Sequence, residues 1–227
     1  AETIRVATAS NFTTTLARIA ERFRQGSGHQ VVLVPGSTGK HYAQIRNGAP
    51  FDAFFAADVR RPALLEDEDA IVPGSRFTYA VGRLALWSPE TGMVDPEGAV
   101  LESDRFRHLA LANPRLAPYG RAARELLRAL GLWDALEDRL VYGENIGQTF
   151  HFVESGAAQL GLVAYSQVLH AHGRDEGSYW LPPRSLYSPI EQQAVALTSG
   201  QATLDFLEFT RSAVAAGIIR DFGYELP

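Results

Sequence analysis

The stretch Pro35-Gly36-Ser37-Thr38-Gly39-Lys40 decides how this sequence is interpreted. It follows the apolar run Val31-Val32-Leu33-Val34, typical of a buried strand, and precedes a predicted helix that contains Tyr42 and Ile45. A strand that leads through a glycine-rich turn into a helix presents free backbone N–H groups, which bind anions. The order of these segments therefore predicts an anion-binding turn, with Ser37 adding a hydroxyl.

Three more junctions of the same kind lie outward from this turn. They are the segments Thr8-Ala9-Ser10-Asn11, Pro118-Tyr119-Gly120 and Asn145-Ile146-Gly147, and each of them precedes a predicted helix. A helix N-terminus carries about half a positive elementary charge. Four helix N-termini would therefore offer about two positive charges, which matches the charge of a dianion. Together the junctions predict a site for a small, doubly charged oxyanion.

Strand and helix signals alternate along the chain. The strand-like segments are 4–7, 31–34, 51–57, 84–87, 109–111, 160–164 and 195–197. The helical stripes are Leu16/Ile19/Ala20/Phe23, Ala123/Leu126/Leu127/Leu130 before Gly131, Ile146/Phe150/Val153 before Gly156, and a last helix with Leu204, Leu207 and Ala215. This alternation predicts an α/β architecture with mostly parallel sheets.

Composition excludes several classes of protein. The chain has 227 residues, of which 46% are hydrophobic and 21% charged, and its net charge of −5 argues against a nucleic-acid partner. No apolar run reaches the roughly 18 residues of a membrane span. Cysteine is absent, so disulfides and thiolate chemistry are excluded.

Other interpretations of these residues stay open or are weak. Ser10, Asn11, Ser37 and Thr38 are also common helix N-caps, so residue type alone does not make them ligands. A nucleotide-binding P-loop needs four residues between its glycines, whereas two separate Gly36 from Gly39. His170 and His172 form a His-x-His pair with no third metal ligand near it in the sequence. The sequence therefore predicts neither a nucleotide nor a metal site.

An ordered set of motifs resembles a known family. The set comprises Ala9-Ser10, Gly36-Ser37-Thr38, Gly48-Ala49-Pro50-Phe51-Asp52-Ala53-Phe54-Phe55-Ala56-Ala57-Asp58, Asn113-Pro114 with Pro118-Tyr119-Gly120, Leu160-Gly161-Leu162-Val163, and Ile218-Ile219-Arg220-Asp221-Phe222-Gly223-Tyr224. These motifs span nearly the whole chain. They are similar to those of the periplasmic molybdate-binding proteins of bacterial ABC importers, which have the type II periplasmic binding protein fold.

The resemblance implies two lobes with the ligand in the cleft between them. The first lobe would be discontinuous, with residues 1–80 and 194–227, and the second would contain residues 81–193. Two connections would cross between the lobes, near Tyr79–Leu84 and near Ile190–Val195. The family's oxyanion ligands map onto Ser10 and Ser37 in the first lobe and onto Tyr119 and Ile146 (backbone N–H) in the second. We also expect Asn11 to bind the oxyanion, and less directly Thr38, Gly147 and Tyr165.

Two positions depart from the family pattern. Some relatives use a tyrosine hydroxyl just after the strand that corresponds to Leu160–Val163, where this chain has Ala164 and carries Tyr165 one residue later. Neighbouring residues of a strand point to opposite faces, which argues against Tyr165 as a direct replacement. Asn11 stands where those relatives have an apolar residue. We therefore expect the Asn11 amide to replace the missing hydroxyl.

The donors in the four turns indicate the type of oxyanion. Hydrogen phosphate carries a proton and is recognised best by a carboxylate, whereas molybdate, tungstate and sulfate are fully deprotonated and need only donors. Within these turns there is no Asp or Glu, and Glu144 is the nearest carboxylate. The turns therefore favour a fully ionised tetrahedral oxyanion. The resemblance implies molybdate or tungstate as that ligand, with another ionised oxyanion such as sulfate as the alternative.

The resemblance also implies the protein's setting. We expect a monomeric, exported periplasmic binding protein without catalysis, cofactor or metal ligands, which delivers its anion to the membrane permease of an ABC importer. The start at Ala1-Glu2, without Met, suits a chain whose signal peptide has been removed. An enzyme would need a paired nucleophile and base. The ligand-sensing domain of a transcription regulator, the other alternative, would bring a helix-turn-helix, and none precedes Ile4.

Overall fold

The chain folds into two compact units. The computed structural model describes residues 1–171 and 176–227, with the backbone alone described at Ala171. Unit 1 comprises Ala1–Val81 and Glu191–Pro227, and unit 2 comprises Gly82–Ile190. The first unit is therefore discontinuous, and the chain leaves it and returns to it once.

The described residues form strands and helices that alternate for most of the chain. The strands are β1 (Thr3–Ala9), β2 (Gln30–Gly36), β3 (Ala53–Phe55), β4 (Phe77–Gly82), β5 (Leu84–Ser88), β6 (Leu109–Ala112), β7 (Leu140–Gly143), β8 (Leu160–Ala164), β9 (Ser178–Trp180) and β10 (Ile190–Ala196). The helices are α1 (Thr13–Ser27), α2 (Thr38–Arg46), α3 (Arg60–Asp67), α4 (Pro118–Ala129), α5 (Trp133–Leu136), α6 (Ile146–Glu154), α7 (Tyr165–Ala171), α8 (Gln201–Thr210) and α9 (Ala213–Asp221). Short 3-10 turns occupy Ser10–Phe12, Ala99–Glu102, Glu137–Arg139 and Arg184–Leu186.

Unit 1 is built on a mixed sheet with the strand order β2-β1-β3-β10-β4. β1 pairs in parallel with both β2 and β3, and β10 runs antiparallel to β3. Successive residues of a strand face opposite sides of the sheet, so each strand contributes to two cores. Val6 and Phe55 pack into the core that contains Leu16 and Phe206, whereas Ala7 and Phe54 pack into the opposite one.

Unit 2 repeats this arrangement with the strand order β7-β6-β8-β5-β9. β6 pairs in parallel with β7 and β8, and β5 runs antiparallel to β8 and β9. On one face, Trp87 stacks on Phe150 of α6 with ring centroids 4.7 Å apart. Both sheets are thus mixed, with a parallel set of three strands in each.

The structure confirms most of the predicted elements and corrects two of them. The segment 51–57 contains only the three-residue strand β3, because Asp52 and the residues after Phe55 bond individually to neighbouring strands and turns. The single last helix is two helices, α8 and α9. Ser212 starts the second one, since its side chain accepts the backbone N–H of Ala215.

The two crossings lie at Val81–Gly82 and at Ile190–Glu191. Strand β10 begins at Ile190 and belongs to the unit 1 sheet from there on. Residue 81 and residues 191–193, which the resemblance placed in the second lobe, are part of unit 1. The C-terminal segment adds an antiparallel bridge between Val81 and Glu225 beside the first crossing.

Candidate functional site

Two of the four predicted turns lie side by side in unit 1. The parallel strands β1 and β2 pair Ala9 with Gly36, so Ser10 and Ser37 each follow directly after one of two paired residues. Ser10 opens the 3-10 turn that leads into α1, and Ser37 precedes α2. Ligands bind at such carboxyl ends of parallel strands. We call Ser10–Asn11 and Ser37–Thr38 the unit 1 turns.

Ser37 is the N-cap of α2. Its backbone is extended, and its Oγ accepts the backbone N–H of Lys40 at 3.3 Å. Ser37 is buried, whereas Lys40 is exposed. A hydroxyl that accepts one bond still has a hydrogen to donate, so capping and anion binding are compatible roles for Ser37.

Buried contacts with Ala57 and His41 hold the Ser37–Thr38 turn in place. The fully buried Thr38 Oγ1 accepts the backbone N–H of Ala57 at 3.0 Å, which ties α2 to the loop after β3. Gly36 leaves room for the His41 ring, since a Cβ there would lie 2.8 Å from Nε2. The Thr38 hydroxyl therefore stabilises the fold as an acceptor, and the backbone N–H of Thr38 is the group at the start of α2 that suits an anion.

His41 supports the same turn from the core. Its Nε2 lies 3.2 Å from the carbonyl oxygen of Thr8, at the end of β1, and its Nδ1 lies 3.0 Å from Gln44 Oε1. Burial lowers the pKa of His41, and the contact with Gln44 opposes this in part. Through these two contacts the imidazole joins β1 to α2.

Asn11 requires a correction. Its Nδ2 donates to Gln192 Oε1 at 2.9 Å and to the Tyr224 hydroxyl at 3.0 Å. Both amide hydrogens are therefore used inside unit 1, and the expectation that this amide replaces a tyrosine hydroxyl is contradicted. Nothing in the sequence pointed to these partners, which are far away along the chain. Asn11 can still offer an oxyanion its backbone N–H, which lies in the 3-10 turn Ser10–Phe12.

The other two predicted turns lie side by side in unit 2. The parallel strands β6 and β7 pair Ala112 with Gly143, and the backbone N–H of Asn113 donates to the carbonyl of Gly143 at 2.8 Å. From these paired ends the chain leads into α4 and α6 respectively. We call Pro118–Gly120 and Asn145–Gly147 the unit 2 turns.

The first turn of α4 packs directly on the end of β6. Pro118 occupies the first helical turn, where its missing N–H costs nothing. A Cβ on Gly120 would overlap the carbonyl oxygen of Ala112 and lie 2.9 Å from the carbonyl carbon of Asn113. The absence of a side chain at Gly120 therefore sets the position of the backbone N–H of Tyr119, whose ring is buried.

The start of α6 is capped from both directions. Asn145 Oδ1 accepts the N–H of Gln148 at 2.9 Å, and Gln148 Oε1 accepts the N–H of Glu144 at 2.7 Å. Gln167 donates to the carbonyl of Ile146 at 3.1 Å. These bonds hold the turn through groups other than the backbone N–H of Ile146. An amide in the first turn of a helix has no acceptor within that helix, so this N–H suits an anion.

Tyr165 is not on a strand, because β8 ends at Ala164 and Tyr165 is the first residue of α7. Its backbone N–H donates to the carbonyl of Arg83 at 2.9 Å. The Arg83 guanidinium lies 5.9 Å from the centre of its ring, and the Tyr179 ring is 5.8 Å away. The ring is thus packed within unit 2 beside β9 and the start of β5.

One buried carboxylate near the unit 1 turns escaped the sequence-based prediction. Asp58 follows Ala57, the partner of Thr38, and is 2% exposed. Its Oδ2 lies 2.6 Å from Arg61 Nη1, and its Oδ1 accepts the Arg61 backbone N–H at 3.1 Å. Arg61 thereby compensates the charge of Asp58, which would otherwise repel an anion. The Asp-x-x-Arg spacing before a helix was the available signal.

Metal-binding clusters and membrane spans are not found in the described part of the chain. Within residues 1–171 and 176–227, no group of three or more His, Cys, Asp or Glu side chains is arranged to hold a metal ion. His172, half of the predicted His-x-His pair, lies outside the described residues. None of the helices that the structure describes is long and apolar enough to cross a membrane.

Two mixed sheets with flanking helices, joined by two crossings, define the type II periplasmic binding protein fold. A solved structure described as the periplasmic molybdate-binding protein of Azotobacter vinelandii has a TM-score of 0.95 to this chain, with 43% identity over 99% of each chain. The fold predicted from the sequence is therefore confirmed.

Curated relatives agree with this assignment. The chain is 46% identical to the molybdate-binding protein ModA of Azotobacter vinelandii, over 98% of this chain and 90% of that protein. It is 45% identical to ModA of Rhodobacter capsulatus, over 96% of this chain and 86% of that protein. Residues 4–225 match the model of the bacterial extracellular solute-binding protein family. The chain belongs to this family.

Proposed function

We propose that this protein binds molybdate or tungstate and delivers it to the membrane permease of an ABC importer. The observation that carries the proposal is the pairing of helix N-termini at the ends of parallel strands in each unit. Ser10 and Ser37 follow one such pair of strands, and Tyr119 and Ile146 follow the other. The 46% identity to a molybdate-binding protein supports the choice of ligand.

The chemistry of the turns suits a fully ionised oxyanion. Ser10 and Ser37 offer hydroxyls and backbone N–H groups, and the N–H groups of Asn11, Tyr119 and Ile146 add to them. We assign lesser roles to the amides of Thr38 and Gly147 and to the hydroxyl of Tyr165, whose ring packs with Arg83 and Tyr179.

Charge compensation has to be local, because the chain as a whole is negative. Each helix N-terminus contributes about half a positive charge, so the four together match a dianion. The Asp58 carboxylate is paired with Arg61. A protonated phosphate would find no carboxylate acceptor in these turns, so we expect it to bind far more weakly than molybdate.

We infer that the protein is a binding protein without catalysis. The histidine nearest in sequence to Ser37 is His41, and its ring nitrogens face Thr8 and Gln44. Ser37 is therefore not activated by that histidine as a nucleophile. The relatives are likewise binding proteins, which supports this inference.

The same relatives support a location and a partner. The matching Azotobacter structure is described as periplasmic, and we propose that location for this protein too. We further propose that it acts as a monomer that meets the permease transiently. These proposals rest on the family to which the chain belongs.

A thermal-shift screen with molybdate, tungstate, sulfate and phosphate tests the ligand. At 100-fold excess over Kd, a ligand stabilises by about 2.7 kcal/mol, or roughly 5 to 10 °C for a chain of this length. We expect that rise with molybdate and tungstate alone. A rise with sulfate alone would identify a sulfate-binding protein, and no rise with any of the four would refute the proposal.

A further inference from the structure

A buried polar cluster lies beneath the Ser10–Asn11 turn and has no assigned role. It consists of Asn11, Tyr79, Gln192 and Tyr224, and we call it the Asn11 cluster. All four residues are at least nine-tenths buried. Polar groups at this depth are kept where their hydrogen bonds are satisfied, so their geometry is well determined.

Tyr224 and Asn11 bond to each other twice. The Tyr224 hydroxyl accepts from Asn11 Nδ2 at 3.0 Å and donates to the backbone carbonyl of Asn11 at 2.8 Å. Gln192 Oε1 takes the second amide hydrogen at 2.9 Å. These three bonds fix the side chain and the backbone of Asn11 together, and with them the peptide planes of the 3-10 turn that begins at Ser10.

Tyr79 extends the cluster to the loop that supports Ser37–Thr38. Its hydroxyl donates to the carbonyl of Ala56 at 2.9 Å and lies 3.3 Å from Gln192 Oε1. Burial raises the pKa of Tyr79 well above its usual value, with Tyr224 and Asp58 adding to the shift, so its hydroxyl stays a donor. Ala57, the next residue, donates to Thr38.

The cluster residues lie on the segments by which the chain leaves and re-enters unit 1. Tyr79 is on β4, just before the crossing at Val81, and Gln192 is on β10, just after the crossing at Ile190. Tyr224 precedes Glu225, whose backbone N–H and carbonyl both pair with Val81. The Ser10–Asn11 turn is thus held by both crossing strands.

We propose that Gln192 and Tyr224 are positioning residues for the oxyanion, acting through Asn11 on the donors at Ser10 and Asn11. This inference rests on the proposed function. A hydrogen bond to an anion weakens steeply with misalignment. A turn held by three buried bonds offers its N–H groups already oriented, which lowers the entropic cost of binding.

The test is the substitution Tyr224→Phe, which removes one oxygen and keeps the ring. We expect molybdate affinity, measured by isothermal titration calorimetry, to fall about threefold to tenfold as the Asn11 amide and carbonyl lose their partner. Tyr187→Phe is the matched control, because Tyr187 is a buried tyrosine of unit 2 whose hydroxyl accepts the backbone N–H of Leu84 at 3.2 Å. It should lower the melting temperature and leave Kd unchanged.

A double-mutant cycle separates positioning from general destabilisation. Tyr224→Phe is combined with Ser10→Ala and, separately, with Ser37→Ala. If Tyr224 acts through the Ser10–Asn11 turn, its effect on Kd is smaller when Ser10 is already alanine and unchanged when Ser37 is alanine. The inference would be overturned if the fold-changes in Kd of the single variants simply multiply in both double variants. Wild-type affinity in Tyr224→Phe would also overturn it.

Gln192→Glu provides a second measurement if Tyr224→Phe folds poorly. Because the side chain is fully buried, the introduced carboxyl replaces the amide donor of Gln192 and disturbs the geometry of the acceptor that Asn11 uses, so we expect affinity to fall about threefold to tenfold. Wild-type affinity in this variant would also overturn the inference. Failure of the wild-type protein to bind any oxyanion would instead refute the proposed function, so the two failures are distinguishable.

Discussion

Replacing Gly120 by alanine should weaken oxyanion binding while the protein stays folded. The first turn of α4 rests against the end of β6, and a Cβ on Gly120 would overlap the carbonyl oxygen of Ala112. Its distance to the Ala112 carbonyl carbon would be 2.7 Å. Both neighbours are backbone atoms in a paired strand, so the helix start has to move instead.

The size of the movement sets the size of the effect. Carbon atoms in good contact are about 3.5 Å apart, so the start of α4 would retreat by at least about 0.8 Å. A hydrogen bond of about 2.9 Å from the Tyr119 N–H would then stretch to about 3.7 Å, beyond its useful range. Losing a bond to a charged group costs about 1.5 to 3 kcal/mol, or roughly tenfold to 150-fold in Kd.

The assay is calorimetric titration of Gly120→Ala with molybdate, alongside urea denaturation. We expect the free energy of unfolding to fall by about 1 to 3 kcal/mol, which leaves the protein folded. Gly217→Ala is the control, because Gly217 lies inside α9 and a Cβ added there would meet nothing within 4 Å. That change should stabilise the protein by about 0.5 to 1 kcal/mol and leave Kd unchanged.

One result would refute the reasoning about α4. Gly120→Ala could bind molybdate with wild-type affinity while its circular dichroism shows a folded protein. In that case oxyanion binding does not depend on the close contact between the start of α4 and the end of β6. The unit 2 turn at Pro118–Gly120 would then not supply a donor to the anion.

Two further predictions concern the unit 1 turns. Ser37→Ala should weaken molybdate binding about tenfold to a hundredfold, because a hydroxyl donor to a charged group is lost. Ser37→Thr keeps the hydroxyl and serves as the control. Equal affinities of wild type and Ser37→Ala in calorimetric titration would show that Ser37 is not part of the site. Burial lowers the pKa of His41, so the unfolded chain binds more protons below the ordinary pKa of about 6.5, and stability should fall as the pH drops below that value. His41→Gln should flatten this part of the profile of melting temperature against pH, and an unchanged profile would contradict the assignment.

Local rules account for the elements that were predicted well from the sequence. The stripe at Leu16, Ile19 and Phe23 is buried in α1, because a single helical face can bury all of them. Gly131 and Gly156 follow helix ends with φ of 72° and 80°, a conformation that glycine adopts without strain. Such features depend on residues that are near each other along the chain.

The hydrogen-bond partners of Asn11 could not be predicted from the sequence. Gln192 and Tyr224 are 181 and 213 residues away along the chain, so no local pattern relates them to Asn11. Asn11 was therefore assigned to the ligand, although its amide is used within the fold. Asp58 with Arg61 differs, because that pair is three residues apart and was readable from the sequence.

The ends of the strands could also not be predicted from the sequence. The apolar run 51–57 looks like one strand, yet only Ala53–Phe55 pairs regularly, between β1 and β10. Pairing depends on where neighbouring strands end, and those strands come from distant parts of the chain. The turns were still located correctly at helix starts, because each of them is signalled by its own residues.

Calorimetric titration of the wild-type protein with molybdate, in the absence and presence of excess sulfate, tests the central claim most directly. The account predicts one molybdate bound per chain, with an affinity that excess sulfate lowers little. Absence of binding heat with molybdate and tungstate, together with no change in melting temperature, would contradict it.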